Sequence, residues 1–481
     1  MKICLQKKEW GLKIGIGCIL FMITFVFLMQ SPLNILLPNG NSATDSSVFK
    51  TIALCMEKGL MPYRDVFDHK GPLIYIYNWL GMKIAYWRGI WAIEFISLFV
   101  CFVYIYKAAG IVCTRFFSVV VVLICSASLY SYFEWGNLTE EYALPFIVGS
   151  LYYFMDYFLN DYISKPRLIM CGGFLGAVCM LRINMISIWL VFCIAVLIQC
   201  VHKKIIKNVY EFLWYFLIGF FAIIIPPLFW IIIHGAFKDF LEQYFVFNVQ
   251  YIDVSLLAQY NTFSVFINDF YIILAILVSV YMCKDHTLFH MAYVAYIFLT
   301  LVSVCISGNE YKHYGMILVP VLIYPISMLL SKKVIKEKHW ILAFMLCMVI
   351  TYTIPSWISG LNKMAEYCFQ EEKTKTRSDT TGKIVQYVVT NSDENDKIIV
   401  WGNWNIVYVL SKRLPASKYS YQFPIGKVDR QILIEFFEEL EITLPKFVII
   451  AEEIGDMEKF LNNNNYFCAN EIDGRKIYKR E

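Results

Sequence analysis

Apolar residues run along this chain in long blocks, and charged residues gather almost entirely between the blocks. Blocks bounded by charge fall at about 12–30, 89–108, 115–132, 142–160, 168–185, 187–201, 211–233, 264–283, 291–307, 315–331 and 340–357. A helix needs about 20 apolar residues to cross the hydrocarbon of a bilayer, so the pattern predicts about eleven transmembrane helices. A shorter apolar stretch at about 74–87 reads as a re-entrant or interfacial helix packed on the bundle. Two regions between blocks are long, at about 31–88 and 235–263, and the second has the pattern of a helix lying at the membrane surface. After about residue 360 the pattern changes. An amphipathic helix at 432–440 and a buried strand at 445–450 suggest a small α/β domain of about 120 residues. The predicted fold is an α-helical polytopic membrane protein, with a transmembrane domain over 1–360, an outer loop at about 31–88 and a soluble α/β domain over 361–481.

Composition sharpens this. The 481 residues are 59% hydrophobic and 17% charged, where a soluble domain is about half apolar and about a quarter charged. The mean hydropathy is +0.56. A single soluble domain and a disordered chain are excluded. A disulfide scaffold is excluded too, because the 15 cysteines are scattered through apolar runs. The net charge of +4, with no basic run interleaved with aromatics, speaks against nucleic acid as a partner. Lys2, Lys7, Lys8 and Lys13 before the first block give it the look of a signal peptide, but no small-x-small cleavage site follows, so it reads as an uncleaved first span.

Charge also sets the expected orientation. With a cytoplasmic N-terminus the short inner turns carry Lys107 and Arg115, Lys165 and Arg167, Lys203, Lys204 and Lys207, Lys284, and Lys332, Lys333, Lys336 and Lys338. An odd number of spans then places the C-terminal domain outside a multi-pass protein of the plasma membrane, with membrane lipid around it.

No phosphate-binding loop, dinucleotide fingerprint or zinc spacing occurs, which argues against an ATP-driven pump. The inner turns are too short to hold an enzyme site, so the chemistry is expected in the outer loops. Asp45, Lys70, Glu140 with Glu141, and His313 all fall at the predicted outer boundary. Charges there are expensive unless used or paired. Each also has a plainer reading. Asp45 caps a helix starting at Ser46, Lys70 snorkels to headgroups, one of the two glutamates is a solvated loop charge, and His313 is structural. Arg182 either faces the cavity or pairs with an acid. Asp65, Asp68 and His69 read as turn and salt-bridge residues rather than metal ligands.

The outer-loop motifs carry a resemblance. Thr44-Asp45-Ser46-Ser47-Val48-Phe49, then Gly59-Leu60-Met61-Pro62-Tyr63-Arg64-Asp65, then Asp68-His69-Lys70-Gly71-Pro72-Leu73-Ile74-Tyr75 resembles the first outer loop of bacterial GT-C glycosyltransferases. The nearest groups are the protein O-mannosyltransferase-like family and the aminoarabinose transferases. Asn137-Leu138-Thr139-Glu140-Glu141-Tyr142 and Lys312-His313-Tyr314 look like later loops of the same family.

The resemblance implies a GT-C-like fold and a glycosyltransferase that takes sugar from a polyprenyl-phosphate donor to an acceptor hydroxyl on a glycan, lipid or protein, with inversion. It implies Asp45 as general base; Glu140, the second catalytic candidate, would orient the acceptor or tune Asp45 by like-charge proximity. Lys70, with Arg64, would meet the donor phosphate, and Glu141, His313, Arg182 and Tyr63 would line the substrate cavity. Some members use a divalent metal. Here Ser46 replaces the usual second acid of the loop, which argues against a tight metal site.

The competing reading is a secondary transporter or a flippase for lipid-linked sugars. That class places ionisable groups near the bilayer midplane. Here only Glu94 and Asp156 fall inside spans, and the outer loop and outer domain suit an enzyme better.

Overall fold

The computed structural model describes residues 2–35, 44–252, 255–267, 269–285, 287–369 and 380–480. Among these, six helices are long and apolar enough to cross a membrane: Trp10–Leu28, Trp87–Ala109, Val209–Ile233, Leu288–Cys305, Lys312–Leu329 and His339–Ala365. Leu256–Ile267 and Tyr271–Asp285 meet at an 86° bend and make a seventh if the pair counts as one span. The protein is thus a polytopic membrane protein, but length and apolarity do not reach the expected eleven spans among the described residues. The other blocks do form helices. Arg115–Tyr130 and Ser187–His202 have 16 residues each and Lys165–Cys179 has 15. At 1.5 Å per residue these span about 24 Å, short of a hydrocarbon core of about 30 Å. Thr139–Asn160 is longer but carries Glu140, Glu141 and Asp156.

The chain packs as two compact units. One contains Met1–Ser31, Ala92–Pro227 and Ile252–Glu366; the other contains Pro32–Trp91, Leu228–Tyr251 and Tyr367–Glu481. The polar tail therefore shares its unit with the predicted outer loop and with the segment Leu228–Tyr251.

In the first unit, small residues let helices meet backbone to backbone. A Cβ built on Gly172 would stand 1.9 Å from the Phe216 carbonyl oxygen, and one on Gly219 would stand 1.8 Å from that of Ile169. Such close approach is how helices associate where lipid removes the usual hydrophobic drive. Ser187 and Thr300 share a hydroxyl hydrogen bond of 2.8 Å that ties Ser187–His202 to Leu288–Cys305.

In the second unit, β1 (Ile398–Trp401), β2 (Phe447–Ile450), β3 (Tyr466–Ile472) and β4 (Arg475–Arg480) form one sheet in the order β1-β2-β4-β3. β1 and β2 are parallel; the other pairs are antiparallel. β3 turns into β4 through Asp473 and Gly474, both at positive φ, as a two-residue hairpin requires. Helix Thr380–Thr390 covers the sheet with Ile384 and Val388, which pack on Val400, Phe447 and Ile449. The short helix Ile406–Ser411 packs on helix Thr44–Glu57. There Thr51 Oγ1 donates to the Asn405 carbonyl at 3.2 Å, and Tyr86 Oη donates to that of Val409 at 2.7 Å. The Thr51 bond holds the helix that bears Asp45, and the Tyr86 bond holds the end of helix Pro72–Ala85.

Overpacking a closed contact typically costs about 1–3 kcal/mol. Gly172→Ala and Gly219→Ala are each expected to lower the thermal unfolding midpoint of the detergent-solubilised protein. Gly15→Ala, where a Cβ meets nothing within 4 Å, leaves it unchanged.

Candidate functional site

The site in the second unit begins with a tight turn. Tyr63 N–H donates to the Val66 carbonyl at 2.8 Å, and Asp65 Oδ2 accepts from Met61 N–H at 2.8 Å. Tyr63 itself sits at φ +72°, a left-handed position. Its hydroxyl donates to the Lys70 carbonyl at 2.8 Å, and its own carbonyl accepts from Gln243 Nε2 at 2.7 Å. Arg64 is 46% exposed. Its guanidinium donates to both oxygens of Asp65 and to the His234 carbonyl, at 2.7–2.8 Å. That bidentate bond holds the Asp65 carboxyl below its ordinary range.

Asp68 lies inside the turn. Oδ1 accepts from the His69 N–H at 2.8 Å and from the Tyr421 hydroxyl at 2.9 Å, and Oδ2 accepts from the Tyr75 hydroxyl at 2.9 Å. Burial pushes its pKa up, against the pull of Lys70 and of these bonds. Lys70 is buried, with Nζ 2.8 Å from His69 Nε2. The His69 ring is stacked on Tyr251 and tilted against Phe247, and its carbonyl accepts from Asn248 Nδ2 at 2.7 Å. The segment 237–251 thus supplies one wall. Pro72 opens the helix Pro72–Ala85, and Gly71 before it has φ −71°, the angle a proline would impose. The Gly-for-Pro change leaves this backbone geometry intact.

Asp45 stands in the first turn of helix Thr44–Glu57. Residues 46–55 behind it are buried, whereas Asp45 keeps partial exposure. It lies within electrostatic reach of the Tyr421 hydroxyl. Asp45, Tyr63 and Lys70 therefore share one unit, linked through Asp68 and Tyr421.

Glu140, Glu141, Arg182 and His313 belong to the first unit. Glu140 is buried, ion-paired to Arg182, and accepts from Thr139 Oγ1 at 2.8 Å. The Arg182 guanidinium lies 4.2 Å from the centre of the Tyr314 ring, a cation–π contact. Of the two sequence readings of Arg182, the pairing with an acid is the one observed. Glu141 accepts from Asn137 N–H at 2.7 Å, and His313 Nδ1 meets Glu134 Oε2 at 2.6 Å. Burial opposes the charge on Glu134, yet the His313 ring and backbone hold its carboxyl below the ordinary range. Glu134, Trp135, Gly136 and Asn137 all have positive φ, and a Cβ on Gly136 would meet Glu94 Oε1 at 2.6 Å. Only glycine fits there.

The sequence matches the family model of the competence-induced protein Ccs4 N-terminal domain over residues 13–343. The chain belongs to this family. No curated protein matches it significantly. Among solved structures, ArnT from Cupriavidus metallidurans bound to undecaprenyl phosphate is similar with a TM-score of 0.62 at 12% identity, over 97% of this chain and 98% of that one. ArnT in the apo state gives 0.60 at 10% identity, over 98% of each chain. The Archaeoglobus fulgidus oligosaccharyltransferase complex with Zn and sulfate gives 0.52 at 12%, over 93% of this chain and 71% of that one. This member of the Ccs4 N-terminal family has a GT-C fold.

Among the described residues, no group of three His, Cys, Asp or Glu side chains converges as a metal site would require. The oxygens of Asp65 and Asp68 are turned to local donors, so the residues present do not fit a tight divalent site. Tyr421, Gln243, Asn248 and Glu134 were not singled out from the sequence as site residues. The first three lie far along the chain from the turn they hold, and no motif marks them.

Removing one member of a buried ion pair typically costs about 3–5 kcal/mol, whereas replacing both with apolar groups is often neutral. Arg182→Met alone is expected to lower the unfolding midpoint in detergent. Adding Glu140→Met restores most of the loss.

Proposed function

We propose that this chain is a membrane glycosyltransferase of the GT-C type. It moves a sugar from a polyprenyl-phosphate donor to a hydroxyl of an envelope glycan, lipid or protein, on the outer face of the plasma membrane and with inversion. The N-terminus is cytoplasmic and the C-terminal unit outside. The observation that carries this reading is the likeness, over nearly the whole of both chains, to ArnT bound to undecaprenyl phosphate. The buried Lys70 and the half-exposed Asp45 in one unit supply matching chemistry.

Asp45 takes the proton of the acceptor hydroxyl as its oxygen forms the new bond to the anomeric carbon. A positioned base contributes about 10²–10⁴-fold. The bond from that carbon to the phosphate oxygen breaks, and its electron pair stays on the lipid phosphate, so no acid is needed at the leaving group. The phosphate gains a second negative charge, which the Lys70 ammonium stabilises. Arg64 serves the turn first and reaches a phosphate only by giving up Asp65 or the His234 carbonyl. Glu140, held by Arg182 in the first unit, is the second carboxylate candidate for acceptor binding. Tyr63 holds the turn that carries Lys70 through its bond to the Lys70 carbonyl, and Glu141 and His313 are cavity candidates on the first unit.

A flippase moves lipid-linked sugar without cleaving it, so release of free polyprenyl phosphate on turnover separates the two readings. Asp45→Asn is expected to abolish transfer from undecaprenyl-phosphate-linked sugar in membrane vesicles at an unchanged level of protein. Full transfer by that variant would remove Asp45 as the base. Lys70→Ala is expected to raise the KM for the donor by about tenfold or more, the order of one charge-assisted bond; unchanged donor kinetics would take Lys70 out of the phosphate site.

A further inference from the structure

Three consecutive side chains at 68, 69 and 70 form a line from acid through imidazole to ammonium. Asp68 Oδ1 stands 3.4 Å from His69 Nδ1, and His69 Nε2 stands 2.8 Å from Lys70 Nζ. An ammonium has donors only, so a neutral ring accepts at Nε2 and carries its proton on Nδ1, whose 3.4 Å approach to Asp68 Oδ1 is an electrostatic contact without hydrogen-bond geometry. The ring plane is set by Tyr251 at 5.4 Å and Phe247 at 5.3 Å. Asp68 in turn is held by the hydroxyls of Tyr75 and Tyr421, each at 2.9 Å. Asp68, His69, Lys70, Tyr75 and Tyr421 are all buried. Tyr421 comes from the C-terminal segment, next to Lys418, whose carbonyl accepts from Phe67 N–H at 2.9 Å.

Lysine is a point charge on a flexible four-carbon stem. Left to itself it samples many rotamers, and a phosphate site needs it in one place. Burial of an ammonium is also costly without an acceptor. The line of groups meets both needs, because Nε2 offers a single, directed acceptor whose position is fixed from behind.

We propose that Asp68, His69 and Tyr421 are positioning residues for Lys70: Asp68 holds the His69 backbone and favours a proton on Nδ1 electrostatically, His69 holds the ammonium, and Tyr421 ties Asp68 to the C-terminal segment. The inference rests on the reading of Lys70 as the group that meets the donor phosphate. It gives the C-terminal segment a part in donor use, through one hydroxyl.

The test uses the full-length protein in nanodiscs, with undecaprenyl phosphate as the binding probe and undecaprenyl-phosphate-linked sugar as donor. Tyr421→Phe and His69→Phe are expected to weaken probe binding and raise the donor KM by about fivefold, the order of one lost hydrogen bond, with a smaller change in kcat. His69→Gln, which keeps an acceptor for Lys70, recovers part of the loss relative to His69→Phe. In the Lys70→Ala background, Tyr421→Phe causes no further loss of probe binding, an outcome that general loosening of the fold would not give. If His69→Phe fails to fold, Tyr421→Phe, which loses one oxygen, carries the test. If Lys70→Ala weakens binding but Tyr421→Phe does not, the positioning inference is overturned and the phosphate reading stands. If Lys70→Ala itself changes neither binding nor KM, both are overturned.

Discussion

A charge taken out of water must find its partner where it stands, and that constraint arranges most of the polar structure of this chain. In hydrocarbon or in a packed interior, an unpaired ion costs more than most folds can spare. Glu140 is therefore met by Arg182, Asp156 by Arg167 and Glu134 by His313. Asp68 collects three donors. The backbone bends to allow it. Residues 134–137 hold four successive positive φ values, a conformation that costs about 1–3 kcal/mol per strained residue. In return, Glu134 reaches His313 and Glu141 receives the Asn137 N–H. Strain of this kind survives only where several bonds determine it together.

The same constraint separates acids that look alike in sequence. Asp65 and Asp68 sit three positions apart in one motif. Asp65 is partly exposed and gripped by Arg64, which holds its carboxyl low; Asp68 is enclosed, and burial pushes it up. Neither is free to serve as the general base in the proposed reaction, since each has its oxygens occupied by local donors. Asp45 differs, at a helix start with partial exposure. This is why the proposed reaction takes Asp45 as its base, although all three acids lie close together in the chain.

What was legible in the sequence follows from how local each signal is. Apolar blocks and the change near residue 360 depend on residues close together, and both reappear as helices and as the four-stranded sheet. The strand expected at 445–450 contains β2, and the amphipathic helix at 432–440 lies within Gln431–Thr443. The number of spans was less legible, because a short helix and a spanning one share the same composition and differ by a few residues in length. Lys70 and Asp45 were legible as motif members. Their supports were not. The Tyr421 bond to Asp68 joins residues 353 apart, and the Gln243 bond to Tyr63 joins residues 180 apart. A single hydroxyl or amide at such a distance leaves no period and no spacing to read.

The sharing of one unit by the outer loop, the segment after 228 and the tail has a physical reason. The turn at 61–70 folds back on itself too tightly to satisfy its own polar groups. Gln243 and Asn248 cap its carbonyls from one segment; Tyr421 caps its carboxylate from another, with Lys418 accepting from its backbone. Withdraw either segment and buried acceptors or donors are left unmatched, at about 1–3 kcal/mol each. The turn is thus stable only when all three pieces of chain are present. Cooperativity of that kind keeps a lysine buried yet oriented, which a mobile loop in water could not do.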